Sequence, residues 1–401
     1  VSDFPQLQRE LETKRLPAIV VDLAAFDRNA RALAERLRER RPDLKIRLAT
    51  KSLRVPALIR RALDSSPVYQ GLMCYAAEEI AFLAERGFDD FLLAYPTLQS
   101  SSLDTLARCA SRKKVSVVVD SEEGIAALAV AARKADAVVG CTLELDVSWR
   151  ICGGFQLGAR RSPLKSAADL ARLHAIVAAR KELRFDGLMA YEGQVAGVPD
   201  RSAFKNPLVN LVTSWLRRKE ARAVARRRAR VLAELKSLGI CCALVNGGGS
   251  GSLSYALEEP GLTEIAAGSA LVASHLFSAY SNLDVQPALY VALEVVRRSD
   301  EGWLTCSGGG YVASGAPGWD RLPMPVFPRD ATLSPLEGCG EVQTPLRVAA
   351  ETSREFPLGR AAFFRPAKAG EIAERFASYQ LWDGKTLVEA PTYRGLGECY
   401  Q

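Results

Sequence analysis

Histidine is almost missing from this chain: among 401 residues only His174 and His275 carry an imidazole. A multi-histidine metal centre is thereby excluded. The nine cysteines are odd in number and show no C-x-x-C spacing, which argues against a zinc cluster or a disulfide framework and for reduced thiols. The adjacent Cys241 and Cys242 read as residues on opposite faces of one strand. No apolar run approaches the ~18 residues that a membrane-spanning helix needs. The N-terminal stretch, with Asp3, Glu10 and Glu12 and no apolar segment, does not read as a signal peptide. These absences lead to the expectation of a cytoplasmic protein without membrane contact. Internal repeats and low-complexity tracts are lacking as well.

What is present is ordinary globular composition. With 48% hydrophobic residues the chain can bury a large core, and its length suggests about two domains at ~150 residues each. The net charge is +7, and basic residues crowd the run from Arg217 to Arg230. A nucleic-acid face would need interleaved stacking aromatics, and none is found. Trp215, Leu216, Ala221, Val224 and Ala225 leave an apolar stripe at helical spacing, so the run is expected to be a solvated outer helix, with no nucleic-acid partner.

Short apolar runs alternate with helical segments over most of the chain, the pattern of a parallel sheet built from βα units. Eight strands are expected, at 47–51, 72–76, 91–95, 115–120, 141–146, 187–191, 243–247 and 263–267. That count fits an α/β fold of the (β/α)8 TIM-type barrel kind better than an open doubly wound sheet. After about Leu283 the pattern changes to β-type runs with clustered Gly and Pro, which predicts a C-terminal mainly β domain. The expected division is residues 19–283 for the barrel, 284–401 for the β domain, and 1–18 for a segment that packs with the β domain.

Lys51 ends the first expected barrel strand, between Ile46-Arg47-Leu48-Ala49-Thr50 and a helical run from Val55 to Leu63. A lysine there faces the barrel mouth, and its amine is a candidate for carbonyl attack and a Schiff base. The bland alternative is a snorkelling lysine at a strand end. The seventh strand runs into Asn246-Gly247-Gly248-Gly249-Ser250-Gly251-Ser252, whose backbone N–H groups would cradle a phosphate. The eighth ends in Gly268-Ser269, another small, donor-rich turn. Lysine and cradle together point to a phosphate-bearing aldehyde cofactor, pyridoxal 5′-phosphate. Arg150 and Tyr191 follow other strands and are candidates for contacts to the cofactor ring. Glu192 and Gln194 are candidates for substrate contacts. His275, shortly after the eighth strand, is a candidate acid/base group, whereas His174 lies in an expected outer helix, Ala167 to Ala179.

The motifs ATKS around Lys51, AYEGQ from Ala190, NGGGSGS from Asn246, GGGYVASG from Gly308, GEVQTPL from Gly340 and AKAGE from Ala367 together resemble the D-threonine aldolase-like, amino acid deaminase/aldolase branch of the alanine racemase fold. The similarity extends over nearly the whole chain. The resemblance implies a fold type III pyridoxal phosphate enzyme, usually a homodimer. It implies Lys51 as the Schiff-base lysine, Arg150 as the ring-side arginine, Tyr191 as a cofactor contact, and Gly248, Gly249, Ser250, Gly268 and Ser269 as phosphate binders. It also implies a histidine metal ligand where this chain has Pro366, and proline offers no side-chain ligand, so a divalent metal is in doubt. The activity expected from the resemblance is retro-aldol cleavage of a β-hydroxy-α-amino acid to an amino acid and an aldehyde. Alternatives are a dehydratase, deaminase or racemase acting on a D-amino acid, and a cofactor-binding protein that has lost catalysis.

Overall fold

Eight parallel strands close into a barrel: Lys45–Ala49, Tyr69–Cys74, Phe91–Leu93, Val115–Val119, Val139–Glu144, Leu183–Met189, Leu244–Gly247 and Glu264–Ala267. The eighth pairs with the first, Glu264 beside Lys45 and Ala267 beside Leu48, which removes any free edge. The computed structural model describes residues 3–150 and 156–400. Each of the eight expected strands is present, offset by a few residues at its ends. The strands are rich in Val, Ile and Leu because both faces are covered, by helices outside and by packed side chains inside.

The barrel interior also holds charge. Arg47 donates to Glu264 at 2.7 Å and Asp90 at 3.0 Å, and Asn246 Nδ2 donates to the same Glu264 oxygen at 2.8 Å. Arg47 is 3% exposed, so its guanidinium is desolvated, and the two carboxylates outweigh that cost and hold it protonated. Removing one member of such a buried set typically costs about 3–5 kcal/mol.

The strand Ala18–Asp22 is not part of the barrel. It pairs antiparallel with Leu289–Ser299 and parallel with Ser378–Trp382, in the middle of the nine-stranded sheet of the β domain. From there the chain turns directly into the helix Leu23–Arg40, capped by the Asp22 carboxylate accepting from Ala25 N–H at 2.9 Å. The N-terminal helix Phe4–Glu10 also joins the β domain, with the Phe4 ring against Tyr290, Phe327 and Phe363. Among the described residues no helix is long and apolar enough to cross a membrane.

Two local expectations are corrected. Cys241 and Cys242 precede the strand that starts at Leu244 and lie in a connecting turn, one exposed and one half-buried. The basic run does form a helix, Pro207–Ser237, but its inner face is only partly the expected stripe: Ala221 and Val224 are buried, Trp215 is exposed, and Arg217, Arg228, Val231 and Leu235 are buried beside them. Arginine can face inward because buried carboxylates meet it there, Asp200 for Arg217 at 2.9 Å and Glu192 and Glu259 for Arg228 at 3.1 and 2.7 Å.

Candidate active site

A cavity of about 650 Å3 opens at the C-terminal ends of the barrel strands, large enough for a cofactor with its substrate. Lys51 enters it from the short 3-10 turn Thr50–Ser52 that follows the first strand. Its Nζ lies 2.9 Å from the Tyr95 hydroxyl, which comes from the end of the third strand. Arg161 stands over two rings, 5.5 Å from the centroid of Tyr95 and 5.3 Å from that of Tyr191. Burial pushes the Tyr191 phenol up to about 12, and the neighbouring Glu192 carboxylate adds to the effect, so Tyr191 stays protonated at neutral pH.

Asn246, Gly248, Gly249, Ser250, Gly251, Gly268 and Ser269 line the same cavity as Lys51. The two glycine turns are tight for steric reasons. A Cβ on Gly251 would sit 2.4 Å from the Ala196 carbonyl oxygen, and one on Gly268 would sit 2.5 Å from that of Ala49. Gly248 adopts φ +74°, a left-handed conformation that aims the loop at the cavity. Ser52 and Ser269 hydroxyls meet at 2.8 Å, and the Ser250 hydroxyl accepts from Ala270 N–H at 3.1 Å, joining the turns after strands one, seven and eight. A phosphate suits this loop pair, because the glycines let the backbone pack directly on Ala196 and Ala49 while the turns and the Ser250 and Ser269 hydroxyls border the cavity.

Glu192 and Gln194 do not line the cavity. Glu192 lies beneath the loop and accepts from Gly248 N–H at 3.0 Å, Ser252 Oγ at 2.7 Å and Arg228 at 3.1 Å. Gln194 is buried with its Nε2 donating to the Val147 carbonyl at 2.9 Å. The Glu192 carboxylate and the Gln194 Nε2 are thus engaged inside the protein, where they shape the loops. His275 is also outside the lining: its Nε2 meets the Leu322 carbonyl at 2.8 Å, and burial lowers its pKa. Arg150 ends a two-stranded ribbon with Gln156 as its partner, and its side chain lies outside the described residues. His174 packs edge-on to Phe185 on an outer helix, 4.8 Å between ring centroids.

Four contributors escaped sequence reasoning, Arg161 among them. Tyr95 sits at the end of an expected strand, so its position was available but its partner was not. Arg217 donates to the carbonyls of Val195 at 3.1 Å and Gly251 at 2.7 Å, so the basic helix holds the cradle in place. Lys368 reaches the cavity from the β domain, beside Glu371, Asp320 and Arg321. Its sequence context gives no sign that it faces the barrel mouth. Among the described residues no three His, Cys, Asp or Glu side chains converge as a metal donor set, and Pro366 offers only its carbonyl, to His275 N–H at 3.0 Å.

A parallel barrel with a lysine after its first strand, a glycine-serine cradle after its last two and a β sheet closing the mouth defines the fold type III class of pyridoxal phosphate proteins. Residues 21–274 match the family model described as alanine racemase, N-terminal domain. The chain belongs to that family. A D-threonine aldolase of Arthrobacter sp. is 26% identical over 260 residues, covering 63% of this chain and 60% of that protein. The D-threonine aldolase of Filomicrobium marinum superposes with a TM-score of 0.81 over 96% of both chains at 22% identity. The D-threo-3-hydroxyaspartate dehydratase of Delftia sp. HT23 gives 0.75 over 96% of this chain and 98% of that one, at 20% identity. At these identities the structural matches speak for the fold. The family implies pyridoxal 5′-phosphate and an amino acid as the small molecule processed.

Proposed function

We propose that this protein is a lyase that cleaves a β-hydroxy-α-amino acid by a retro-aldol reaction, with pyridoxal 5′-phosphate held by Lys51 and the glycine-serine cradle. The observation that carries the reading is the meeting of Lys51, Tyr95, Tyr191 and the two cradle turns in one cavity, together with the sequence similarity to a D-threonine aldolase. When bound, the cofactor supplies an electron sink at Cα of the amino acid. Lys51 would anchor it covalently, with Tyr95 orienting the Lys51 amine, and the backbone N–H groups of 250–251 and 268–269 with the Ser250 and Ser269 hydroxyls would bind its phosphate, since Gly248 N–H and Gly249 N–H are taken up by Glu192 and Ser252. Tyr191 and Arg161 border the space that the ring would take.

Phe204, Leu208, Leu211, Val212 and Trp215 form an exposed apolar patch where the long helix begins, next to Ser202 and Lys205 of the cavity lining. A patch of this kind supports a homodimer whose interface adjoins the active site.

The reading is tested by product analysis of the cofactor-loaded protein with D- and L-β-hydroxy amino acids, with and without a chelator. Glycine plus an aldehyde that survives chelation is the expected result. A keto acid plus ammonia would transfer the protein to the dehydratases, and inversion at Cα without cleavage would make it a racemase.

A further inference from the structure

Resting on the lyase reading, we propose that Lys368 is the base that takes the proton from the β-hydroxyl of the substrate. The β domain delivers this lysine to the barrel mouth by a tight contact. The segment Lys368-Ala369-Gly370 lies against the backbone of Lys51 so closely that a Cβ on Gly370 would be 1.7 Å from the Lys51 carbonyl oxygen. Lys51 and Lys368 therefore enter one cavity from two domains that are locked together at that point. Lys368 Nζ donates to the Ser314 carbonyl at 2.8 Å and hydroxyl at 2.9 Å. Both are neutral acceptors, and among the described residues no carboxylate lies within ion-pair distance of this nitrogen. Glu371 accepts instead from Ser314 N–H at 3.0 Å.

Four charged groups face Lys368: Glu371 and Asp320, Arg321, and Lys51. Burial lowers the amine's pKa and the cations Arg321 and Lys51 lower it further, against the opposing pull of Glu371. A lysine so placed gives up its proton more readily than a free one, and its neutral amine can act as a base. Tyr191, by contrast, holds its proton too tightly, and His275 is turned towards Leu322.

The step balances without an added reactant. The hydroxyl proton passes to Lys368 Nζ, and the O–H electron pair becomes the second bond of the aldehyde carbonyl. The Cα–Cβ pair stays on the Cα fragment, and a proton returned to Cα completes the product amino acid.

The experiment compares wild type with Lys368→Met and Lys368→Arg in three measurements: cofactor affinity by absorbance titration, exchange of the glycine Cα proton in deuterium oxide, and retro-aldol turnover. Glycine has no β-oxygen, so its exchange reports on Lys51 and the cofactor alone. Lys368→Met is expected to keep cofactor affinity and glycine exchange within about 2-fold while retro-aldol kcat falls about 100- to 10,000-fold, the usual range for a lost general base. Lys368→Arg should fail equally, because a guanidinium stays protonated, and the alkaline-rising limb of the kcat profile should vanish in both variants. Retro-aldol turnover retained by Lys368→Met, or restored by Lys368→Arg, would overturn the proposal while leaving the lyase reading intact. A wild type that exchanges glycine but cleaves no β-hydroxy amino acid would remove the lyase reading and this role together.

Discussion

The Lys51 amine and the Tyr95 hydroxyl are hydrogen-bonded across the barrel mouth at 2.9 Å, one from the first strand end and one from the third. The bond fixes the direction in which Lys51 points, because the lysine itself is exposed and has free rotamers. Tyr95→Phe is expected to lower kcat/KM about 10-fold, roughly 1.4 kcal/mol of transition-state stabilisation. Lys51→Ala should abolish both the cofactor absorption and turnover. Steady-state kinetics and absorbance spectra of the two variants check the pair, and a Lys51→Ala protein that kept both signals would remove the lysine from the mechanism.

Gly251 has no room for a side chain: a Cβ would lie 2.4 Å from the Ala196 carbonyl and 2.5 Å from the Tyr280 ring. Gly251→Ala must push the cradle away from the phosphate. Cofactor affinity should weaken at least about 10-fold, ~1.4 kcal/mol, in an absorbance titration. An unchanged affinity would make the loop a plain tight turn.

Glu79 is wholly buried and accepts from Tyr393 Oη and Tyr75 N–H, both at 2.9 Å, tying the C-terminal segment to the barrel behind Lys51. Burial pushes its carboxyl up to about 7, although hydrogen bonds from Thr50, Tyr75 and Tyr393 and the Arg54 charge pull the other way. The folded state therefore binds this proton more tightly than the unfolded chain does. Its contribution to stability is fully present below about pH 4.5 and is lost as pH rises to about 7. Denaturant melts across that window should show stability falling with pH by roughly 2–3 kcal/mol from this group. Glu79→Gln should flatten that part of the profile, and an unchanged slope would assign the effect elsewhere.

Leu208 and Leu211 are 71% and 64% exposed at the start of the long helix, a costly arrangement for a free surface. Leu211→Asp is expected to shift a dimer towards monomer in sedimentation velocity and to reduce activity with it, since Ser202 and Lys205 nearby line the cavity. A wild-type protein that sediments as a monomer at micromolar concentration would assign the patch another role.

The barrel was legible in the sequence because strand period and βα alternation are local signals. Lys51 and the glycine-serine loops were legible for the same reason, since a strand end in a barrel has only one place to point. Pairings between distant segments were not. The strand Ala18–Asp22 reads as apolar whichever sheet it joins, and only the structure places it between Leu289–Ser299 and Ser378–Trp382. The same limit hid the inward arginines: amphipathicity assigns charge to solvent, and the carboxylates that bring Arg217 and Arg228 inside lie far away in sequence. It hid Lys368 too, which belongs to one domain and opens into the other.

That first strand has a further consequence for how the molecule is made. The centre of the β sheet leaves the ribosome before any of the barrel, yet both of its neighbours follow only after the barrel is complete. In effect the barrel is an insertion within the β domain, closed off by a strand that must wait. Non-local pairing of this kind is slow and exposes apolar edges in the interval. Ala18-Ile19-Val20-Val21 is therefore the segment whose premature association a nascent chain has most need to avoid.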